Sequence, residues 1–299
     1  MSDEAFDPLQ EDDHSPGKTP PEGLVLIPTP IGNLGDMTIR AIEALKAADT
    51  ILCEDTRTSA RLLSHFGITG RTMALHEHNE DGRIAQVLTM LREGKRVALI
   101  SDAGTPLVSD PGYRLVRAAI AAGLPVGGVP GANAALLALT LSGLPPHPFL
   151  FLGFPPPRGA ARRAAFASLR AAEVAGLSAT MIWYEAPHRL VETLEDLAAV
   201  LGPRESAVAR ELTKRFEEVR RGTLPDLAAD FTVRPPRGEI TIVVGPAGDT
   251  APDADDLDAR LRAALEGHRL KEAVALVTAA TGLPRKQVYA RALTLTSLD

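Results

Sequence analysis

The stretch over residues 96–113, RVALISDAGTPLVSDPGY, constrains this chain more than any other. Residues 97–100 form a short apolar run, the pattern of a strand buried on both faces of a parallel sheet. The run stops at Ser101-Asp102-Ala103-Gly104-Thr105-Pro106, where small residues, a carboxylate and hydroxyls gather. Ser109-Asp110-Pro111-Gly112 then predicts a helix start, with Asp110 as N-cap and Pro111 at the first helical position. Open α/β sheets bind ligands outside the carboxyl ends of their strands, which makes this loop the first place to look for a small molecule. For a single loop the plainer reading stands: Ala103 and Gly104 serve a tight connection.

The same grammar recurs along the chain. Residues 24–27, 50–53, 72–75 and 125–129 predict further strands, and residues 38–47, 60–66, 83–92 and 134–141 predict helices between and after them. Strand and helix thus alternate five times within about 120 residues, which predicts a parallel sheet. The strands end in loops of unusual chemistry: Pro28 to Asp36, Glu54-Asp55-Thr56-Arg57, His76-Glu77-His78-Asn79-Glu80 and Pro130-Gly131-Ala132-Asn133-Ala134.

A Pro-rich stretch, residues 143–157, reads as the crossing into a second domain. Beyond it, strands at 178–184, 206–209 and 239–244 and an extended segment at 217–222 mix with helices at 190–201 and 224–229, leaving room for antiparallel pairing. Residues 246–256 have linker composition. Three short helices follow, at 257–265, 271–280 and 284–293, the last two joined by Thr281-Gly282-Leu283 in a helix-turn-helix silhouette. The expected organisation is an acidic tail (1–23), an N-terminal α/β domain (24–146), a C-terminal α/β domain (147–246) and a small C-terminal helical extension (257–299).

Charge is distributed unevenly. The chain has 38 acidic and 32 basic residues. Seven of the acids (Asp3, Glu4, Asp7, Glu11, Asp12, Asp13, Glu22) precede residue 24, with only Lys18 against them, so the rest of the chain is neutral. The tail predicts disorder, and a polyanionic partner is not excluded. The single cysteine, Cys53, permits no internal disulfide and suits a reducing cytoplasm. No apolar run approaches transmembrane length, and no signal-peptide pattern opens the chain.

No loop is a Walker A and none is G-x-G-x-x-G, which disfavours a standard triphosphate or dinucleotide site. His76 and His78 alternate on a continuing strand and lack a further ligand cluster, so no metal is expected. Asp55 reads equally as an N-cap paired with Arg57 and as a catalytic carboxylate. Arg158, Arg162, Arg163 and Arg170 occupy a segment without acids until Glu173, which points to polyanion contact or to a solvated helix face. Lys214, Arg215, Arg220 and Arg221 are open to the same two readings.

IPTPIGNLGDMTIRA, EDTRTSARLL, HEHNE, SDAGTPLVSDPGYRLV, FLGFPP, YEAPHRL, ARELTK and GEITIVVGP, in this order and spacing, resemble the bacterial 16S rRNA (cytidine-2′-O)-methyltransferases of the tetrapyrrole-methylase superfamily. The resemblance spans residues 24–246, and the last helices resemble that family's helix-turn-helix extension. It implies S-adenosyl-L-methionine bound in a cleft between two α/β domains, and 2′-O-methylation of a cytidine in the decoding region of the small ribosomal subunit's 16S rRNA. It also implies a cytoplasmic homodimer. Carried position by position, cofactor contacts fall on Asp102, Ala103, Gly104, Leu107, Asn133, Ala134, Glu185 and Leu212. The resemblance places Asp55 as proton acceptor, with Arg57 and His76 beside it. Arg158, Arg162 and Arg163 are expected to hold RNA phosphates.

Two departures bear on substrate. Pro130-Gly131-Ala132-Asn133 stands where many relatives have Pro-Gly-Pro. Pro30-Ile31-Gly32-Asn33 replaces the Gly-x-Gly-Pro-Gly loop of the tetrapyrrole enzymes, which argues against a porphyrinoid. A porphyrinoid methyltransferase and a ligand-sensing DNA-binding regulator are the alternatives. The second needs base-reading residues on the last helix, where Arg285, Lys286, Gln287 and Arg291 are offered.

Overall fold

The computed structural model describes residues 22–76, 79–247, 254–281 and 285–296. The body of the acidic tail, Glu77, His78, most of the linker and the turn between the last two helices lie outside the described residues. The chain divides into two compact units after Asn133.

The first unit holds β1 (Leu24–Ile27), β2 (Thr50–Cys53), β3 (Arg71–Ala74), β4 (Val97–Ile100) and β5 (Val126–Gly128) in one sheet, ordered β3-β2-β4-β1-β5. All its pairings are parallel, as the alternation predicts. The helices are α1 (Ile39–Ala47), α2 (Thr56–His65), α3 (Glu80–Arg92) and α4 (Tyr113–Ala121). Side chains alternate across a strand, and helices cover both faces, so the central strands are apolar almost throughout, while the edge strand β3 carries Arg71 and Thr72. Ala98 and Ile100 pack with Ala41, Leu45 and Leu63 under α1 and α2. Val97 and Leu99 pack with Val87, Leu91, Leu115 and Ala119 under α3 and α4.

The second unit begins with α5 (Ala134–Ser142) and contains β6 (Phe149–Phe151), α6 (Gly159–Val174), β7 (Thr180–Glu185), α7 (Leu190–Leu201), β8 (Glu205–Arg210), β9 (Glu218–Thr223), α8 (Leu224–Val233) and β10 (Ile240–Val244). Its sheet runs β6-β7-β10-β8-β9. Only β6 pairs in parallel, with β7; the other pairings are antiparallel. Phe166, Leu194, Leu197, Leu227 and Phe231 from α6, α7 and α8 bury one face against Trp183, Val208 and Ile242. α5 packs on β7, β8 and β10, which is why the division comes before the Pro-rich stretch rather than within it. Arg221 on β9 donates to the carbonyls of Ser142 (3.0 Å) and Leu141, closing the open C-terminal end of α5.

α9 (Ala254–Gly267), α10 (Leu270–Thr281) and α11 (Arg285–Thr296) share a small core of Leu257, Leu261, Val274, Val277, Val288 and Ala292. Arg291 turns toward Asp258 in a two-pronged ion pair at 2.6 Å. One of the four residues offered for base reading is thereby committed to an ion pair with α9.

Candidate functional site

β1, β4 and β5 are neighbours, and the loops after them are laced together at the carboxyl edge of the first sheet. Thr29 and Gly104 exchange backbone hydrogen bonds of 2.9 and 3.0 Å. The Thr29 hydroxyl donates to the Ser101 carbonyl at 3.0 Å, and the Ser101 hydroxyl to the Gly104 carbonyl at 2.6 Å. Thr105 Oγ1 donates to the Ala132 carbonyl at 3.0 Å and accepts from Asn133 Nδ2 at 3.3 Å. The hydroxyls of the expected loops therefore serve to fix backbone. What they leave on the surface is small: Asp102, Ala103 and Gly131 are exposed, whereas Ser101, Gly104 and Thr29 are buried.

Gly104 has φ +79°, and a Cβ there would lie 3.3 Å from Ile31 Cγ2. Farther along, Leu107 and Ser109 have φ of 71° and 69°. Left-handed backbone disfavours side chains that carry a Cβ, and such strain gathers at functional sites. Among the described residues the other non-glycine positions of this kind are Glu211 (52°) and Thr213 (66°), flanking Leu212. Two of the expected cofactor positions, Leu107 and Leu212, thus lie in strained loops.

The helix start after this loop differs from its expectation. Asp110 is not the N-cap; α4 begins at Tyr113, and its N-cap residue is Gly112 (φ +118°), which has no side chain to accept a first-turn amide. The acceptor comes instead from α3: buried Glu80 accepts the Leu115 amide at 3.0 Å. Asp110 is left half-buried without a donor among the described residues, and its carboxyl is raised to about 7 by burial, with the charges of Glu54 and Asp102 adding to the effect. A sequence reading passes over it because a carboxylate before proline looks like a cap.

Asp55 does cap its helix, accepting the Arg57 amide at 2.8 Å. The Arg57 guanidinium also grips it, with Nη2 3.0 Å from Oδ2. Hydrogen bonds from the Arg57 side chain and then its amide hold this carboxyl below its ordinary range. The Asp55 amide approaches Asp102 Oδ1 at 3.3 Å, joining the ends of β2 and β4. His76 lies at the end of β3, held by Asn79, whose Oδ1 accepts the His76 amide at 2.9 Å and whose Nδ2 lies 3.1 Å from His76 Nε2. Burial pushes the Cys53 thiol up, leaving it a packing residue. Among the described residues no group of three or more His, Cys, Asp or Glu is arranged to hold a metal.

In the second unit the YEAPHRL segment turns inward. Glu185 is buried and accepts from the Ala186 amide (2.7 Å), Arg189 Nε (2.8 Å) and the Thr193 hydroxyl (2.6 Å). Its carboxylate is thereby tied to the Arg189 and Thr193 side chains at the start of α7. Leu212 is buried.

Arg162 is likewise committed. Its guanidinium is buried, with Nε 2.7 Å from Asp196 and Nη2 3.4 Å from Glu192. Arg163 is exposed but shares Asp196 at 3.0 Å, and Arg158 stands exposed ahead of α6. The acids that pair with Arg162 and Arg163 lie 30 and more positions away in sequence, on α7, where no local charge count reveals them, whereas Arg170 meets Glu173 on its own helix at 3.3 Å.

Residues 23–228 match the family model for tetrapyrrole (corrin/porphyrin) methylases, and residues 251–296 match that for the RsmI C-terminal HTH domain. A ribosomal RNA small subunit methyltransferase I of Micromonospora olivasterospora is 49% identical over 89% of this chain and 85% of its own length. The protein of the same name from Escherichia coli O157:H7 is 42% identical over 95% of this chain and 97% of its own. The chain belongs to the tetrapyrrole methylase family. Among solved structures, diphthine synthase superposes with a TM-score of 0.56 at 15% identity, covering 74% of this chain and 89% of that one. A cobalt precorrin-4 methyltransferase superposes with a TM-score of 0.54 at 16% identity, covering 74% and 94%. These two establish the fold alone. No helix among the described residues is long and apolar enough to cross a membrane.

Proposed function

We propose that this protein transfers a methyl group from S-adenosyl-L-methionine to the ribose 2′-hydroxyl of a cytidine in the decoding region of 16S rRNA. The observation that carries the reading is the laced loop edge after β1, β4 and β5, in a chain similar over most of its length to small-subunit rRNA methyltransferases. The donor set suits that cofactor. Small residues let backbone come close, and Glu54, Asp102 and Asp110 form an electronegative rim matched to a ligand bearing a sulfonium and an ammonium. Asp102, Ala103, Gly104, Leu107 and Asn133 are the first unit's residues to hold it. When bound, the cofactor supplies an electrophilic methyl on sulfur.

The chain's own residues must orient the ribose hydroxyl and take its proton. Asp55 spends both carboxylate oxygens on Arg57, and we assign it to positioning α2 and the loop after β2. Asp110 is the better proton acceptor, because a group titrating near the working pH combines availability with basicity. Alignment of hydroxyl, methyl and leaving sulfur provides much of the remaining acceleration. Arg158 and the outer face of Arg163 remain for phosphate contact.

The test is incubation with labelled S-adenosyl-L-methionine and undermethylated small subunits, followed by nucleoside analysis. Labelled 2′-O-methylcytidine is expected. Its absence, together with methylation of a porphyrinoid, overturns the assignment. Asp102→Ala is expected to weaken cofactor binding by about tenfold, the loss of one charge-assisted hydrogen bond.

A further inference from the structure

The loop joining β8 to β9 ends in a feature that the cofactor reading leaves unused. Its base is pinned from several sides. Lys214 Nζ lies 2.9 Å from Glu211 and 3.2 Å from Glu239, and the Thr213 amide donates to Glu217 Oε2 at 2.6 Å. Glu211 also accepts the Glu239 amide at 3.1 Å. This pinning presents Arg215 and Phe216 to solvent. Phe216 is 64% exposed, with the Arg215 guanidinium carbon 5.5 Å from its ring centre.

Where the hairpin meets the rest of the unit, Arg210, Glu218, Arg220, Phe231, Arg234 and Arg237 surround a cavity of about 280 Å³. Three guanidinium groups there share two carboxylates. Arg210 and Arg220 meet Glu218 at 3.1 and 2.7 Å, and Arg220 and Arg234 both meet Asp230. One positive charge is left uncompensated. Arg237, exposed and without an acidic partner among the described residues, adds a second at the cavity, while at the tip Arg215 stands beside Glu217 and beside Lys214, which is shared by Glu211 and Glu239. The Arg220 guanidinium also lies over the Phe231 ring, 4.7 Å from its centre.

We propose that the β8–β9 tip and the arginine-lined cavity at its base form a contact face for unpaired RNA, with Phe216 stacking on a base and Arg215 and Arg237 holding phosphates. This rests on the rRNA reading above. An exposed aromatic ring beside cations is how sequence-tolerant single-strand binders work. A protein partner fits less well, because Phe216 stands among Lys214, Arg215 and Glu217 rather than in the apolar patch that an interface core requires. The cavity is at the small end for a metabolite pocket, with room for a phosphodiester unit.

Fluorescence anisotropy with the full chain and a single-stranded oligonucleotide of small-subunit rRNA sequence tests the proposal across a salt series. Phe216→Ala is expected to weaken binding about tenfold, and Phe216→Trp to retain it. The double variant Arg215→Ala, Arg237→Ala should flatten the salt dependence by about 1.4 in log–log slope, 0.7 for each lost phosphate contact. Affinity for S-adenosyl-L-methionine, measured by calorimetry, should be unchanged in all three. RNA binding unaltered in the alanine variants overturns the proposal. So does a change in sedimentation with RNA binding intact, which reassigns the face to contact between copies. If the variants bind RNA normally and the unmodified protein still methylates small subunits, only this face is disproved; if the unmodified protein neither binds nor methylates RNA, the rRNA reading falls with it.

Discussion

Asp110 is the residue whose environment differs most from what its neighbours in sequence imply. Its carboxyl, about 7 in the folded protein against about 4 unfolded, binds a proton more tightly when folded. Between those values the unfolded chain ionises first, so stability falls as pH rises from about 4 to about 7. Removing the charge should relieve this. Asp110→Asn is expected to stabilise the protein at pH 7.5 by about 1–2 kcal/mol after allowance for solvent screening, with little change at pH 4.5. Urea titrations at the two pH values check it; equal effects at both contradict the buried-carboxyl account. Gly112 is the opposite case, a residue whose need is visible only in space. A Cβ there would come within 2.6 Å of Leu99 Cδ2 at a φ of +118°, and Gly112→Ala should cost about 2 kcal/mol or more, read as a lower denaturation midpoint.

At the scale of elements, the strands were the most legible part. β1, β2 and β4 have the predicted bounds, because a strand covered on both faces is apolar almost throughout, Thr50 excepted, and its flanks need not be. Helix starts were less legible. A cap is a hydrogen bond, and its acceptor can come from any element that packs close enough. Glu80 supplies that acceptor to α4 from 35 residues away. Glu80→Ala should therefore destabilise by about 1–3 kcal/mol, whereas Glu80→Gln keeps an acceptor and should recover most of the loss. Thermal or urea melts separate the two; equal losses would mean that Glu80 acts through charge or packing instead. The arginine segment of α6 was misleading for the same reason. Composition counted its cations, and folding brought Glu192 and Asp196 of α7 onto them.

For the whole molecule, family membership and the proposed chemistry make one joint demand: a ligand that binds the folded chain must stabilise it. S-adenosyl-L-methionine at about 100 times its Kd should add about 2.7 kcal/mol and raise the melting temperature by roughly 5 °C. No shift at saturating cofactor contradicts the cofactor assignment whatever the substrate. The sequence by itself determined the parallel first sheet, a second α/β unit with room for antiparallel pairing, the helical extension and the loops where chemistry gathers, since these follow from hydrophobic period and turn residues along short stretches. Only the tertiary structure decided which charges remain available. It buried Arg162 and Glu185 in ion pairs, joined Asp55 to Asp102, and left Asp110, Arg215 and Arg237 without counter-ions among the described residues. The physical reason is range: backbone propensity acts over a few residues, whereas a charge is neutralised by whatever the fold brings within about 4 Å. The stretch around Ser101 to Pro106 was recognisable from its residues, and its role as a laced floor followed from hydrogen bonds to loops more than 25 and 70 positions away.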